Sequence, residues 1–243
     1  MADEAQRVAG TGEDEPLLGR PGDASQQDGK PIYHNFVIGT AVLAQAGVWV
    51  LAAVIWGAVF SNMTPNSRLF SAHPLLNSTA LLFLVQGILV LQPTHTAQQK
   101  KQGTLVHAGL NDVGFLAGVA GLIIIEYNKF SHQGTHFVST HAILGLITYI
   151  FVVIQTVVGI TQYFTPGLYG GVDNAKKLYK YHRLSGYIVL LLMLATVCAA
   201  TQTDFNKQSL KIQLWAVVLC SVLIVIGVVA RLKTYKLGWM AGK

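Results

Sequence analysis

The chain has 243 residues, of which 52% are hydrophobic and only 12% charged, with a formal charge of +6 and a mean hydropathy of +0.46. Soluble domains carry about 25% charged residues, so the composition excludes an ordinary soluble domain. The apolar runs are continuous and do not alternate in short segments, which excludes a β-barrel and leaves an all-α membrane protein.

Residues 1–33 are rich in Gly, Gln, Asp and Glu, and are expected to form a disordered cytosolic tail. Within them, "EDEPLL" (13–18) places an acid four residues before a Leu-Leu pair. That resembles the acidic dileucine signals that direct proteins to vacuolar, lysosomal or other endomembranes. No cleavable signal peptide is expected, because the first apolar run is too long for a signal core. Six runs follow, at 36–60, 74–92, 104–126, 137–160, 184–203 and 211–231. Each has about the 20 residues needed to cross a hydrocarbon core. The expected organisation is one six-helix domain over 34–236 and a short cytosolic tail over 237–243.

With a cytosolic N-terminus, 13 Lys and Arg fall on the inner side and 4 (Arg68, Lys129, Lys207 and Lys211) on the outer. The basic excess is therefore a topology signal with both termini inside, and not a nucleic-acid patch. Cys198 and Cys220 lie inside runs and read as small buried residues. The sequons at Asn62 and Asn77 hug or enter a span. The long connection is expected at 161–181, with Pro166, a Gly-Gly turn and three lysines. No phosphate loop, CxxC pair or nucleophile elbow is present.

Eight histidines occur. His73, His107, His141 and His182 fall one each in spans two to five, 20, 19, 20 and 22 residues before Pro93, Glu126, Thr161 and Asp204. At 1.5 Å per residue each gap is about one hydrocarbon thickness, so each histidine is expected near the N-terminal end of its helix. Alternating span direction then puts His73 and His141 near the outer face, and His107 and His182 near the inner. Two imidazoles per face, on separate helices, suit two six-coordinate haems. His136, five residues before His141, would sit about 140° away if helical and so cannot share its face. With His132, it is placed at the outer mouth. A rival class is a proton-coupled carrier using the histidines as a relay, and another is a scaffold without cofactor. The relay needs mid-depth acids, and the apolar runs are expected to hold none.

The segments "HPLL", "KKQGTLVHAGL", "HFVSTHAILGL" and "LYKYHRLSGY" resemble the eukaryotic cytochrome b561 family, nearest to its small single-domain members, over about 36–235. The resemblance implies six transmembrane helices with a central four-helix bundle holding two haem b. One would be held by His73 and His141 on the non-cytosolic side, the other by His107 and His182 on the cytosolic side. It implies a transmembrane oxidoreductase, commonly a homodimer, passing electrons from cytosolic ascorbate to monodehydroascorbate or a ferric chelate. The matching cytosolic cations are Lys101, Lys177, Lys180 and Arg183. His132, His136 and Arg68 stand at the acceptor side. Members with a characterised ascorbate site often carry a lysine two residues before the third-span histidine, and here that position is Leu105.

Overall fold

The structure is a computed structural model that describes residues 24–233 and 237. The dileucine segment, residues 1–23 of the expected tail and nearly all of 237–243 lie outside the described residues. Six α-helices are described: α1 (Ala41–Asn62), α2 (Arg68–Leu91), α3 (Ala97–Ser131), α4 (Thr140–Phe164), α5 (Val172–Ala200) and α6 (Leu214–Val229). No strand occurs among the described residues. The first five are long and apolar enough to cross a membrane, and α6, at 16 residues, is shorter. The chain is an integral, multi-pass, all-helical membrane protein.

Helix starts extend past the apolar runs where the local sequence supplies a cap. Thr96 accepts from the Gln99 amide and Gln99 reaches back to Thr96, a capping box that opens α3 inside the polar stretch AQQKKQG. Gly170 and Gly171, at φ +79° and +112°, turn the chain into α5 at Val172. The 161–181 connection is therefore short. Lys176, Lys177 and Lys180 lie on the opening turns of α5, and only 165–171 links it to α4. The same extensions put His107 and His182 each ten residues into their helices, about 15 Å from the start. His73 and His141 do sit in the first turns of theirs.

Packing is uneven. Helix α2 lies antiparallel along α3, α4 pairs with α5, and α1 with α6, whereas α3 and α4 touch sparsely. The dry core joins α1, α2, α5 and α6 through Leu51, Leu81, Val85, Leu89, Leu190 and Ile224. A Cβ at Gly47 would lie 2.6 Å from the Cys220 carbonyl, so only glycine permits this α1–α6 approach. The fourth apolar run is the least covered by protein.

Residues 24–33, expected within the tail, are placed against the helix ends. Gln26 N–H donates to Pro93 O at 3.0 Å, and the Gln26 side chain accepts from buried Asn35. Asn35 also donates to Val90 O, and its own carbonyl accepts from Arg231. Arg231 is 4% exposed, and burial lowers its guanidinium to about 10. The described part of the expected tail is thus packed against the helices.

Asp112 corrects the expectation of acid-free spans. It lies five residues past His107, inside α3, and is exposed.

Candidate haem centres

Each of the four span histidines is met by the residue fourteen positions after a histidine on the antiparallel neighbour. On α2, His73 is followed by Asn77 and Gly87, and on α3 His107 is followed by Asn111 and Gly121, at the same spacing. His73 Nδ1–H donates to Gly121 O at 2.9 Å, and His107 Nδ1–H donates to Gly87 O at 2.8 Å. The α4–α5 pair repeats the exchange. His141 Nδ1–H donates to Thr196 O at 3.0 Å, fourteen residues after His182. Gln155, fourteen after His141, donates to His182 O at 2.6 Å.

These bonds decide the imidazole tautomers. A carbonyl only accepts, so Nδ1 of His73, His107 and His141 carries the proton and Nε2 keeps a lone pair. Metal-bound histidines show the same arrangement, with the second nitrogen held by a carbonyl or carboxylate. His73 and His141 face one another across the bundle with ring centres 6.2 Å apart and planes at 82°. Two imidazoles on opposite sides of one metal need about 2 Å from metal to nitrogen and about 1.1 Å more to each ring centre, roughly 6 Å in all. The separation fits a shared axial pair.

The other pair is arranged differently. His107 and His182 lie within electrostatic reach of one another. His107 Nε2 accepts from Asn111 Nδ2 at 2.9 Å, a bond that must open before this nitrogen can bind a metal. His182 Nδ1 is buried without a hydrogen-bond partner among the described residues, which suits a ligand position. Gly159 makes room for that ring, since a Cβ there would lie 2.9 Å from His182 Cε1. A cleft of about 350 Å³ opens beside His182, lined by Gln155, Gln162, Tyr169, Tyr181 and Ser185 among others.

Supporting polar groups tie the His73 site to the middle of the bundle. Asn77 donates to His73 O at 2.9 Å, and the Tyr149 hydroxyl donates to Asn77 Oδ1. Asn77, Asn111, Gly87, Gly121, Gln155 and Thr196 are site residues that the histidine spacing does not single out. The signal was available: H-x-x-L-N occurs at 73 and at 107, each with glycine fourteen residues after the histidine.

The remaining candidate residues are scattered over two ends. Lys101, Lys177 and Lys180 are exposed. Lys177 reaches Asn174 Oδ1 at 3.5 Å, and Lys180 lies 5.0 Å from the Tyr181 ring. Arg183 is half-buried and follows His182 on α5. At the opposite end His132 turns back onto Asn128 O at 2.8 Å, capping α3, and Arg68 is exposed at the start of α2. His136 is outside any helix, because α4 begins at Thr140 and Phe137 adopts φ +53°. The expected 140° helical offset from His141 therefore does not exist. Instead His136 Nδ1 binds Glu126 Oε2 at 2.6 Å, with the Phe130 ring 4.9 Å away. Glu126 and Lys129 lie near the His73 end of the bundle, so this cluster borders His73.

Comparison with known proteins points the same way. The family model for eukaryotic cytochrome b561 matches residues 72–207, which include all four span histidines. A Homo sapiens transmembrane reductase is 30% identical over 189 residues, 76% of this chain and 83% of that protein. An ascorbate-specific transmembrane electron transporter of Zea mays is 26% identical over 156 residues, 64% of this chain and 65% of that protein, just under two thirds of its length. A lysosomal membrane ascorbate-dependent ferrireductase of Danio rerio is 29% identical over 103 residues, 42% of each chain. Members of the matched family are haem b proteins. With the family match enclosing all four span histidines, and a relative 30% identical over 76% of this chain, the chain belongs to the eukaryotic cytochrome b561 family.

Proposed function

We propose that this protein carries electrons across a membrane through two haem b groups, from cytosolic ascorbate to monodehydroascorbate or a ferric chelate on the other side. His73 and His141 would hold one haem, and His107 and His182 the other. The observation that carries the proposal is the 6.2 Å separation of the His73 and His141 rings, each fixed by a carbonyl on Nδ1. When bound, a bis-imidazole haem supplies a one-electron redox centre with no open coordination site.

The chain's own residues would do the rest. Lys177, Lys180 and Arg183, with Lys101, form the cationic mouth that would hold an anionic donor beside His182. Leu105 removes one cation from that mouth, so α5 would carry most of the contact. At the other mouth Arg68 and His132 stand with the Glu126–His136 pair, where a reduced acceptor would take its proton. Six spans with both termini in the cytosol are the proposed topology, supported by the basic residues gathered at one side. With the interior negative, outward electron movement gains about 2.3 kcal/mol per 100 mV. The dileucine pattern and the zebrafish relative's lysosomal name support an endomembrane location. Asp112 does not complete a proton relay, because five residues of helix turn it about 140° from His107.

The test is a redox spectrum with a pyridine haemochrome assay on the purified protein. Two haem b per chain are expected, with one lost in His141→Ala and one in His107→Ala. Ascorbate should then reduce the spectrum, less completely at a given concentration in a Lys177→Ala/Lys180→Ala variant. A colourless protein from haem-supplied cells would overturn the proposal.

A further inference from the structure

The back of α3, turned away from α2, is apolar with one exception. Leu105, Val113, Leu116 and Ile123 are 48%, 46%, 65% and 62% exposed. Asp112 stands exposed among them. It makes no hydrogen bond or ion pair among the described residues. Its depth follows from the helix rise: Asp112 is 11 residues past Lys101 and 14 before Glu126, about 16 and 21 Å along the axis. An aspartate side chain is too short to reach either polar end. A carboxylate facing lipid at mid-span is expensive, and such residues normally meet a partner.

The described residues do not supply that partner. Lys and Arg among the described residues stand at span ends, and a second copy would set one Asp112 against another. The complement is a cation at mid-span on a different chain. Gly109 lies on the same face, and its Cβ position meets nothing within 4 Å. A neighbouring backbone can therefore approach closely one turn from the carboxylate.

We propose that the α3 face formed by Leu105, Gly109, Asp112, Val113 and Leu116 is an intramembrane docking surface for a transmembrane helix of a second protein that carries Lys or Arg at mid-span. Asp112 is the specificity determinant, and the leucines and Gly109 supply close packing. The inference depends on membrane insertion and is independent of haem content and of the electron donor.

The test uses the full chain in phosphatidylcholine vesicles, labelled for energy transfer to a leucine-rich transmembrane peptide. One peptide carries a single central lysine and its twin carries leucine there. The lysine peptide should associate about tenfold more tightly than its twin. Asp112→Leu should abolish that preference, and Asp112→Glu should retain most of it. Asp112 is exposed and makes no hydrogen bond or ion pair among the described residues, so circular dichroism and thermal unfolding should be unchanged in these variants. Should Asp112→Leu misfold, Asp112→Asn removes the charge at constant size. Equal association of the two peptides, or a lysine preference that survives removal of the carboxylate, would overturn the proposal. So would Asp112-dependent energy transfer between copies of the protein without peptide, which would make a second copy the occupant.

Discussion

Gly121 and Gly118 lie one turn apart on the side of α3 that faces α2, yet an added methyl should have opposite effects at the two. A Cβ at Gly118 would stand 3.6 Å from Tyr149 and 3.7 Å from Ala80, ordinary contact. A Cβ at Gly121 would stand 2.6 Å from Asn77 Nδ2, with Leu76 Cβ at 3.4 Å behind it. The Asn77 amide must then rotate, and it holds two bonds: it donates to His73 O and accepts from the Tyr149 hydroxyl. Each bond contributes about 1 kcal/mol, while replacing a helical glycine by alanine gains up to about 1 kcal/mol. Gly121→Ala should therefore destabilise by about 1–2 kcal/mol. Gly118→Ala should be neutral or stabilise by up to about 1 kcal/mol. Gly121 also supplies the carbonyl that fixes His73, so only its variant should disturb the haem at that end. The assay is thermal unfolding in detergent with haem counted per chain for both variants. Equal melting temperatures and equal haem content would refute the packing argument. A Gly118→Ala variant less stable than Gly121→Ala would refute it more directly.

Other expectations follow from single contacts. Gly159→Ala would force the His182 ring to move by several tenths of an ångström. It should cost one haem per chain, leaving the spectrum of the His73–His141 site, as compared with the His107→Ala variant. Tyr149→Phe leaves Asn77 Oδ1 unpaired and should cost about 1–2 kcal/mol. It should shift the midpoint potential of one haem more than the other, read by spectroelectrochemistry. Asn35→Ala removes donors to Gln26 and Val90 from a fully buried position. Faster hydrogen exchange is expected over 24–36, with that over α2 unchanged. An unaltered exchange rate would show that residues 24–33 are held by other contacts.

The spacing of His73, His107, His141 and His182 was enough to place one on each of α2 to α5, because an imidazole stands out in an apolar run. The supporting residues did not stand out. Asn77 reads as a sequon and nothing in the sequence of either helix alone marks Gly87 and Gly121, because their importance lies in a carbonyl and a missing methyl that no single helix reveals. Helix starts were misplaced for a related reason. Apolar runs mark what lipid contacts, whereas the Thr96 capping box and the Gly170–Gly171 turn mark where hydrogen bonding begins. The lysines of α5 consequently lie outside the apolar runs although they are helical. The off-helix position of His136 depends on the backbone at Phe137, which its side chain does not announce.

The reciprocal bonding of α2 and α3 turns one helix into a ruler for both sites. His73 and Gly87 are fourteen residues apart on α2, so the levels at which it serves the two histidine pairs differ by about 21 Å along its axis. The opposing fourteen residues of α3 set the same interval in the reverse direction. Inserting or deleting one residue between Asn77 and Gly87 would turn the lower half of α2 by about 100° and slide it about 1.5 Å. Gly87 would leave His107, and with the seam out of step Gly121 would leave His73. Such a lesion cannot be confined to one end: the interval between the levels of His73 and His107 and the seating of both side chains are written into a single register, to be inherited or lost together.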